Sequence, residues 1–200
     1  MTLSVTERHR VEREPGVADF INSVAAIKHV VYDTKQVSMS RLLDALACDF
    51  EGCEDVLKAC NEAPKFGNDD PRADDFAAEL FTYIANEIES YRSKFGVMTP
   101  GILPVSGNTP FGVEVGALPS GRKAGKPLAD GVSPNGGTDI NGPSAVLKSV
   151  AKMPHDRFVQ GTLLNMKLDP EMISNENGVQ QLMAMLKSLC TLGVYHVQFN

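Results

Sequence analysis

Gly112-Val-Glu-Val-Gly-Ala-Leu-Pro-Ser-Gly-Arg-Lys-Ala-Gly-Lys-Pro-Leu-Ala-Asp-Gly-Val-Ser-Pro134 and Gly137-Thr-Asp-Ile-Asn-Gly-Pro-Ser-Ala-Val-Leu-Lys-Ser-Val-Ala-Lys152 are the two runs that decide the reading of this chain. They lie in or just after a stretch, Gly107 to Gly142, that is rich in Gly, Pro, Asn and Ser and shows little periodicity. An irregular segment of that length inside a compact domain is functional or clamped by something larger. Part of it, Gly116 to Lys123, nearly spells a phosphate-binding loop. That motif needs Lys directly after its second Gly and then Ser or Thr. Here Arg122 intervenes, Ala124 follows Lys123, and no clear helix starts there to aim its N-terminus at a phosphate.

Around these runs the two halves of the chain differ. The first reads as helical. Ile21, Val24, Ala25, Ile27 and Val31 are spaced for one helix from Ala18 to Val31. Ser38 or Ser40 caps a second helix through Leu42, Leu43 and Leu46. Phe50-Glu51-Gly52 breaks it, and a third runs from Glu54 to Cys60 before Pro64. After a turn at 65–71, Asp70 as cap with Pro71 at the first helical position starts a long helix. Its apolar stripe is Phe76, Leu80, Tyr83, Ile84, Ile88 and Tyr91. In the second half, strands are expected at Met98–Ser106, Gly161–Leu168 and Val194–Asn200, and helices at Pro143–Ala151 and Val179–Leu192. The last strand–helix–strand order is that of a parallel βαβ unit. On the final strand Tyr195, Val197 and Phe199 share one face, and His196, Gln198 and Asn200 the other. The pattern stops without a turn or polar tail, which we read as truncation.

Composition excludes several classes. The chain has 200 residues, a formal charge of −6 and no basic stripe, so a nucleic-acid partner is not expected. No apolar run approaches a membrane span and no signal peptide opens the chain, so a cytoplasmic location is expected. Cys48, Cys53, Cys60 and Cys190 match no CxxC pattern and read as buried free thiols. Asp69, Asp70, Asp74 and Asp75 lack the spacing of a calcium loop and read as helix capping and dipole compensation, so no metal site is expected. The four histidines form no catalytic pattern; His196, on a polar strand face, is structural more often than catalytic in such a setting.

With three further segments, Asn22-Ser-Val-Ala-Ala-Ile-Lys28, Ala63-Pro-Lys-Phe-Gly-Asn-Asp-Asp70 and His196-Val-Gln-Phe-Asn200, the two runs closely resemble the glycyl radical enzymes. That family includes pyruvate formate-lyase, glycerol and diol dehydratases, and choline trimethylamine-lyase. The likeness covers roughly residues 15 to 200 in collinear order. The Gly-Ala-Leu-Pro-Ser-Gly-Arg-Lys-Ala form looks closer to the choline and isethionate lyases than to pyruvate formate-lyase.

The resemblance implies an α/β fold, part of a ten-stranded barrel, with a helical first half and a βαβ-type second half. It divides the chain into a charged stretch at 1–14, a helical segment at 15–95, and a segment of barrel strands and loops at 96–200. It implies a C–X bond-cleaving lyase acting on a small polar substrate of choline, isethionate or diol type. The radical would be installed by an activase using S-adenosylmethionine and an iron–sulfur cluster, and the intact enzyme is expected to be a homodimer. Two departures matter. Nothing here matches the family's Arg-Val-x-Gly radical motif, and its Gly-Cys-Val-Glu thiyl loop belongs upstream. Cys53 in Gly52-Cys53-Glu54 falls in the part resembling a helical segment and reads as a helix-start cysteine. The chain is therefore expected to lack the glycyl radical domain, to have no catalytic residue, to bind no cofactor itself, and to be inactive. The alternative is a non-catalytic interaction module, or a decayed product, that associates with a full-length homologue. Ile102, Pro104, Ser106, Gln198 and Asn200 are the candidate substrate-pocket residues.

Overall fold

The structure, a computed structural model, describes residues 16–93, 96–102, 107–168, 170, 174–194 and 196–200. Helix α1 (Val17–Ile27) begins at Gly16 in a left-handed conformation and buries Val17, Ala18, Ile21 and Ala25. It does not continue as an α-helix to Val31. Lys28–Asp33 is a wider π turn, with the Thr34 N–H bonded to the His29 carbonyl at 2.9 Å. The Val30 carbonyl is taken instead by the Val37 N–H. One wider turn displaces the helical register by about one residue, too little for the few apolar residues from Ile27 to Val31 to show the change.

Ser38 caps α2 (Met39–Ala47) by accepting from the Arg41 N–H. Helix α3 (Glu54–Glu62) ends where Ala63 turns extended before Pro64. Helix α4 (Pro71–Ser90) starts as expected, with the Asp70 carboxylate accepting from the Arg72 N–H. Its most buried stripe differs from the expected one. Ala73, Ala77, Phe81 and Ala85 are fully buried, Phe76, Leu80 and Ile84 are partly buried, and Tyr83 and Tyr91 are exposed. Small residues on this stripe let α4 approach α1 closely, an arrangement that a search for large apolar side chains overlooks.

The expected strand at Met98–Ser106 is not seen in its first part. Residues 98–101 are irregular, Ile102 makes a single parallel bridge to Thr162, and 103–106 lie outside the described residues. A small antiparallel pair precedes it, β1 (Arg92–Ser93) with β2 (Gly96–Val97). The Gly/Pro-rich stretch also holds a helix, α5 (Asn108–Glu114), where little regularity was expected. Helix α6 (Pro143–Ala151) falls where the sequence places it. Strands β3 (Leu164–Met166) and β4 (Val197–Phe199) pair in parallel, joined by α7 (Glu176–Leu192), so the βαβ unit is present. Leu164 and Met166 are buried and Val197 and Phe199 pack against the same core, which leaves Asn165, Gln198 and Asn200 toward the other face.

Two cores result. The larger joins α1, α4, α6, α7 and the parallel strands; the smaller gathers Val30, Leu42, Phe50, Val56 and Cys60 around α2 and α3. The cysteines are not uniformly buried. Cys60 is; Cys53 is half-buried; Cys48 and Cys190 are exposed. Cys53 does stand at the start of a helix, as the residue flanking α3.

Lys65 is only 9% exposed, and its ammonium donates to the Cys60 carbonyl at 2.6 Å and the Ala63 carbonyl at 3.0 Å. It thus satisfies carbonyls at the end of α3. Burial pulls its pKa down to about 8. A lysine whose folded value is depressed penalises the folded state while protonated, so stability should rise with pH once the folded value is passed. The buried Cys60 thiol, pushed up by burial, acts in the opposite sense above the ordinary thiol range. The window in which the lysine dominates is therefore pH 7 to 8.5, where unfolding free energy should rise by roughly 0.5–0.8 kcal/mol. Urea titrations across that window should show the rise in the native chain and its loss in Lys65→Met. A flat profile in the native chain would refute it.

Candidate functional site

The Gly/Pro-rich loop is held from inside by Arg122, which is 9% exposed. Its Nη2 donates to the Gly112 carbonyl at 2.7 Å and to the Lys126 carbonyl. Its Nη1 reaches the Gly116 carbonyl at 2.9 Å and the Val115 carbonyl at 3.3 Å, and Nε reaches the Pro127 carbonyl at 3.4 Å. The guanidinium that spoiled the phosphate-loop motif thus replaces secondary structure as the partner of the loop's backbone.

The other segments of the resemblance converge on the same loop. The Asp19 carboxylate of α1 accepts from the Ala129 N–H at 2.6 Å and from the Asn135 amide. Asn135 in turn accepts from Asn22 at 2.9 Å, and Asn22 accepts from the Phe66 N–H at 2.7 Å. Burial pushes the Asp19 carboxyl up, against the opposing pull of these donors and of the Arg122 charge. Asn68 donates to the Thr138 carbonyl at 2.7 Å. Gly67 has φ +97, and a Cβ there would meet Pro134 at 2.4 Å, so only glycine lets the loop settle on this turn.

The acidic run has a second use beyond capping. Asp70 caps α4, but the fully buried Asp74 accepts from the Ser149 hydroxyl at 2.9 Å and from Lys152 at 3.1 Å. Asp69 pairs with Lys148 at 3.0 Å. These bonds fix α6 to α4. Burial raises the Asp74 carboxyl, partly countered by Ser149 and Lys152. Among the described residues no group of side chains could hold a metal ion. His155 is buried between the Thr162 hydroxyl (2.6 Å) and the Val150 carbonyl (2.8 Å), tying the end of α6 to the strand region.

Where the loop meets the carboxyl ends of β3 and β4, a cavity of about 760 Å³ opens. Asn61, Asp130, Asn135, Asn165, Lys167 and Asn200 are among its lining residues. The loop is fitted against β3: the Val132 N–H donates to the Leu163 carbonyl at 3.0 Å, and the Asn165 N–H to the Ser133 hydroxyl at 2.9 Å. Asn165 also donates to the Asp130 carboxylate. Asp130 Oδ1 and Asn165 Oδ1 are buried and have no hydrogen-bond partner among the described residues. Burial raises the Asp130 carboxyl, with the Asn165 bond acting against it. The space past the carboxyl ends of parallel strands is where α/β folds place their ligands.

Of the candidate pocket residues, Asn200 lines this cavity. Gln198 is exposed on the same strand face and donates to Asn200 at 2.9 Å. Ile102 is 4% exposed and belongs to the apolar core rather than to the cavity lining. Pro104 and Ser106 lie outside the described residues. Sequence reasoning missed Asp130, Asn135 and Asn165. Their signal was indirect: a long loop must find polar partners for its backbone, and its own Asp and Asn are the nearest supply.

Residues 12–112 match the pyruvate formate lyase-like family and residues 128–200 the glycine radical family. The chain is 38% identical over 187 residues to trans-4-hydroxy-L-proline dehydratase of Clostridioides difficile, covering 92% of this chain and 24% of that protein. It is 37% identical to isethionate sulfite-lyase of Bilophila wadsworthia (strain 3_1_6), covering 92% and 23%. Among solved structures, the B12-independent glycerol dehydratase of Clostridium butyricum superposes with a TM-score of 0.89 at 38% identity, covering 95% of this chain and 24% of that one. Hydroxyproline dehydratase of Clostridioides difficile superposes with a TM-score of 0.90 at 37% identity, covering 96% and 24%. The chain belongs to the glycyl radical enzyme family, and its fold is part of that family's α/β barrel. It spans about a quarter of the length of the curated relatives it matches. The glycine radical match begins at Leu128, so it is the radical-bearing motif, rather than the whole domain named for it, that these 200 residues lack.

Proposed function

We propose that this chain forms one wall of the reaction chamber of a glycyl radical lyase or dehydratase that breaks a C–X bond in a small polar substrate. Choline-, isethionate- and diol-like molecules are the class we infer. The radical, installed by an S-adenosylmethionine iron–sulfur activase in a homodimeric, cytoplasmic enzyme, supplies the hydrogen-atom abstraction. The residues described here bind and orient. The carrying observation is the polar cavity at the carboxyl ends of β3 and β4, whose lining residues Asp130 and Asn165 hold buried acceptor oxygens with no partner among the described residues. An unpaired buried acceptor is costly, and a substrate hydroxyl or ammonium donor relieves that cost.

The test belongs in a full-length relative carrying residues 128–200 of this chain. Asn200→Ala should raise the Michaelis constant about tenfold, the worth of one hydrogen bond, while radical yield stays constant. Gln198→Ala, which only loses a bond to Asn200, should have a smaller effect of the same kind. Unchanged kinetics in both would remove this face from the chamber wall.

A further inference from the structure

We propose that Cys48 and Cys53 are a thiol pair that closes reversibly into a disulfide and thereby fixes the turn that tethers the Gly/Pro-rich loop. The two residues flank one tight turn between α2 and α3. Within it the Glu51 N–H bonds to the Cys48 carbonyl at 3.0 Å and the Cys53 N–H to the Phe50 carbonyl at 3.1 Å. Asp49 and Phe50 both hold left-handed backbone, at φ 52 and 63. The Cys48 thiol hangs over this turn on the side that leads to Cys53, 3.4 Å from the Ala45 carbonyl and 3.3 Å from the carbonyl of Glu51, two residues before Cys53.

Exposure gives the two sulfurs different parts. Cys48 is exposed and meets an external oxidant first; Cys53 is half-buried beside it and resolves. Burial and the neighbouring thiol push the Cys53 thiol up, so it is not the sulfur that attacks the oxidant first. With a small-molecule disulfide such as oxidised glutathione, the Cys48 thiolate attacks one sulfur and releases one glutathione thiol. The Cys53 thiolate then attacks Cys48 of the mixed disulfide and releases the second. The protein loses two hydrogens and two electrons, and the oxidant leaves as two thiols. In reducing compartments such pairs serve as redox sensors rather than structural bridges.

The turn reaches the loop directly, because the Asp49 carboxylate accepts from the Ala124 N–H at 2.7 Å. Ala124 follows Arg122 and Lys123, which line the cavity.

The whole chain, reduced and then equilibrated over a series of glutathione ratios, is alkylated and digested. Cleavage at Arg41 and Lys58 leaves both cysteines in one peptide. That peptide should lose two hydrogens and carry no alkyl group. The bridge should persist at a glutathione ratio about tenfold more reducing in water than in urea, because the fold holds the sulfurs together. Cys48→Ser should abolish it and Cys190→Ser should not. Hydrogen exchange of the Ala124 amide should slow in the bridged chain. Equal ratios in water and urea, or glutathione remaining on Cys48, would overturn the pair, and unchanged exchange at Ala124 would overturn the tether. Neither readout depends on lyase activity, so failure here leaves the chamber-wall reading untouched.

Discussion

Arg122→Met should lower the stability of the chain by about 3–5 kcal/mol, the largest effect expected of any single substitution here. The side chain is nearly as long and just as buried, so packing changes little. What is lost is every N–H aimed at the carbonyls of Gly112, Val115, Gly116, Lys126 and Pro127. Each buried carbonyl left without a donor costs roughly 1–3 kcal/mol, and water entering at the exposed Gly116, Lys126 and Pro127 offsets part of the sum. Asp19 also loses a cation that favours its charged form. Arg122→Lys should recover only part, since a single ammonium cannot reach carbonyls spread on both sides of a planar guanidinium. Urea unfolding of the three chains, compared at a common slope, measures this. A methionine variant within about 0.5 kcal/mol of the native chain, the range of an ordinary surface change, would show that the loop holds itself without the clamp.

Incubated anaerobically with a family activase and S-adenosylmethionine, the 200-residue chain should show no glycyl radical doublet by electron paramagnetic resonance. It should also turn over none of choline, isethionate, glycerol or pyruvate. The expected signal is zero rather than reduced, because nothing in residues 1–200 matches the Arg-Val-x-Gly motif. The described cysteines offer no substitute. Cys60 is sealed in the smaller core, and Cys53 stands beside Cys48 at a helix start rather than in a barrel loop. Adding a full-length, activated relative to the same sample should restore the doublet from the relative alone. A doublet from this chain, or turnover abolished by Cys53→Ala, would overturn the assignment of the chain as a wall without reacting groups.

Local chemistry made much of this molecule legible in advance. Asp70 with Pro71 announced α4, the serines at 38 and 40 announced α2, with Ser38 taking the cap, and the alternation of Leu164 to Leu168 and Val194 to Asn200 announced a parallel pair. The resemblance carried the family. What escaped depends on partners distant in sequence. Ala73, Ala77 and Ala85 became the buried stripe of α4 because α1 comes close, and no periodicity in α4 alone selects them over its larger apolar residues. Arg122 looked like a stray cation because its partners are main-chain carbonyls, which have no sequence signature. Asp130, Asn135 and Asn165 looked like turn residues for the same reason. The cysteines were read from the average burial of their type, which cannot register that a left-handed turn lifts Cys48 to the surface.

The bonds that seat the loop also carry a clock. Asn22 meets Asn135 and Asp19 meets Asn135 across 113 and 116 residues of chain. At a synthesis rate of about 5–20 residues per second, roughly 6–23 s separate the emergence of α1 from that of its partner. For that interval the Asp19 carboxylate stands in water as an ordinary acid, and its later burial waits on Asn135 and the Ala129 N–H arriving together. Closing so long a loop is slow compared with winding any of the helices. The face of α1 that meets the loop is therefore born as a surface and becomes an interior only when the last third of the chain has been made.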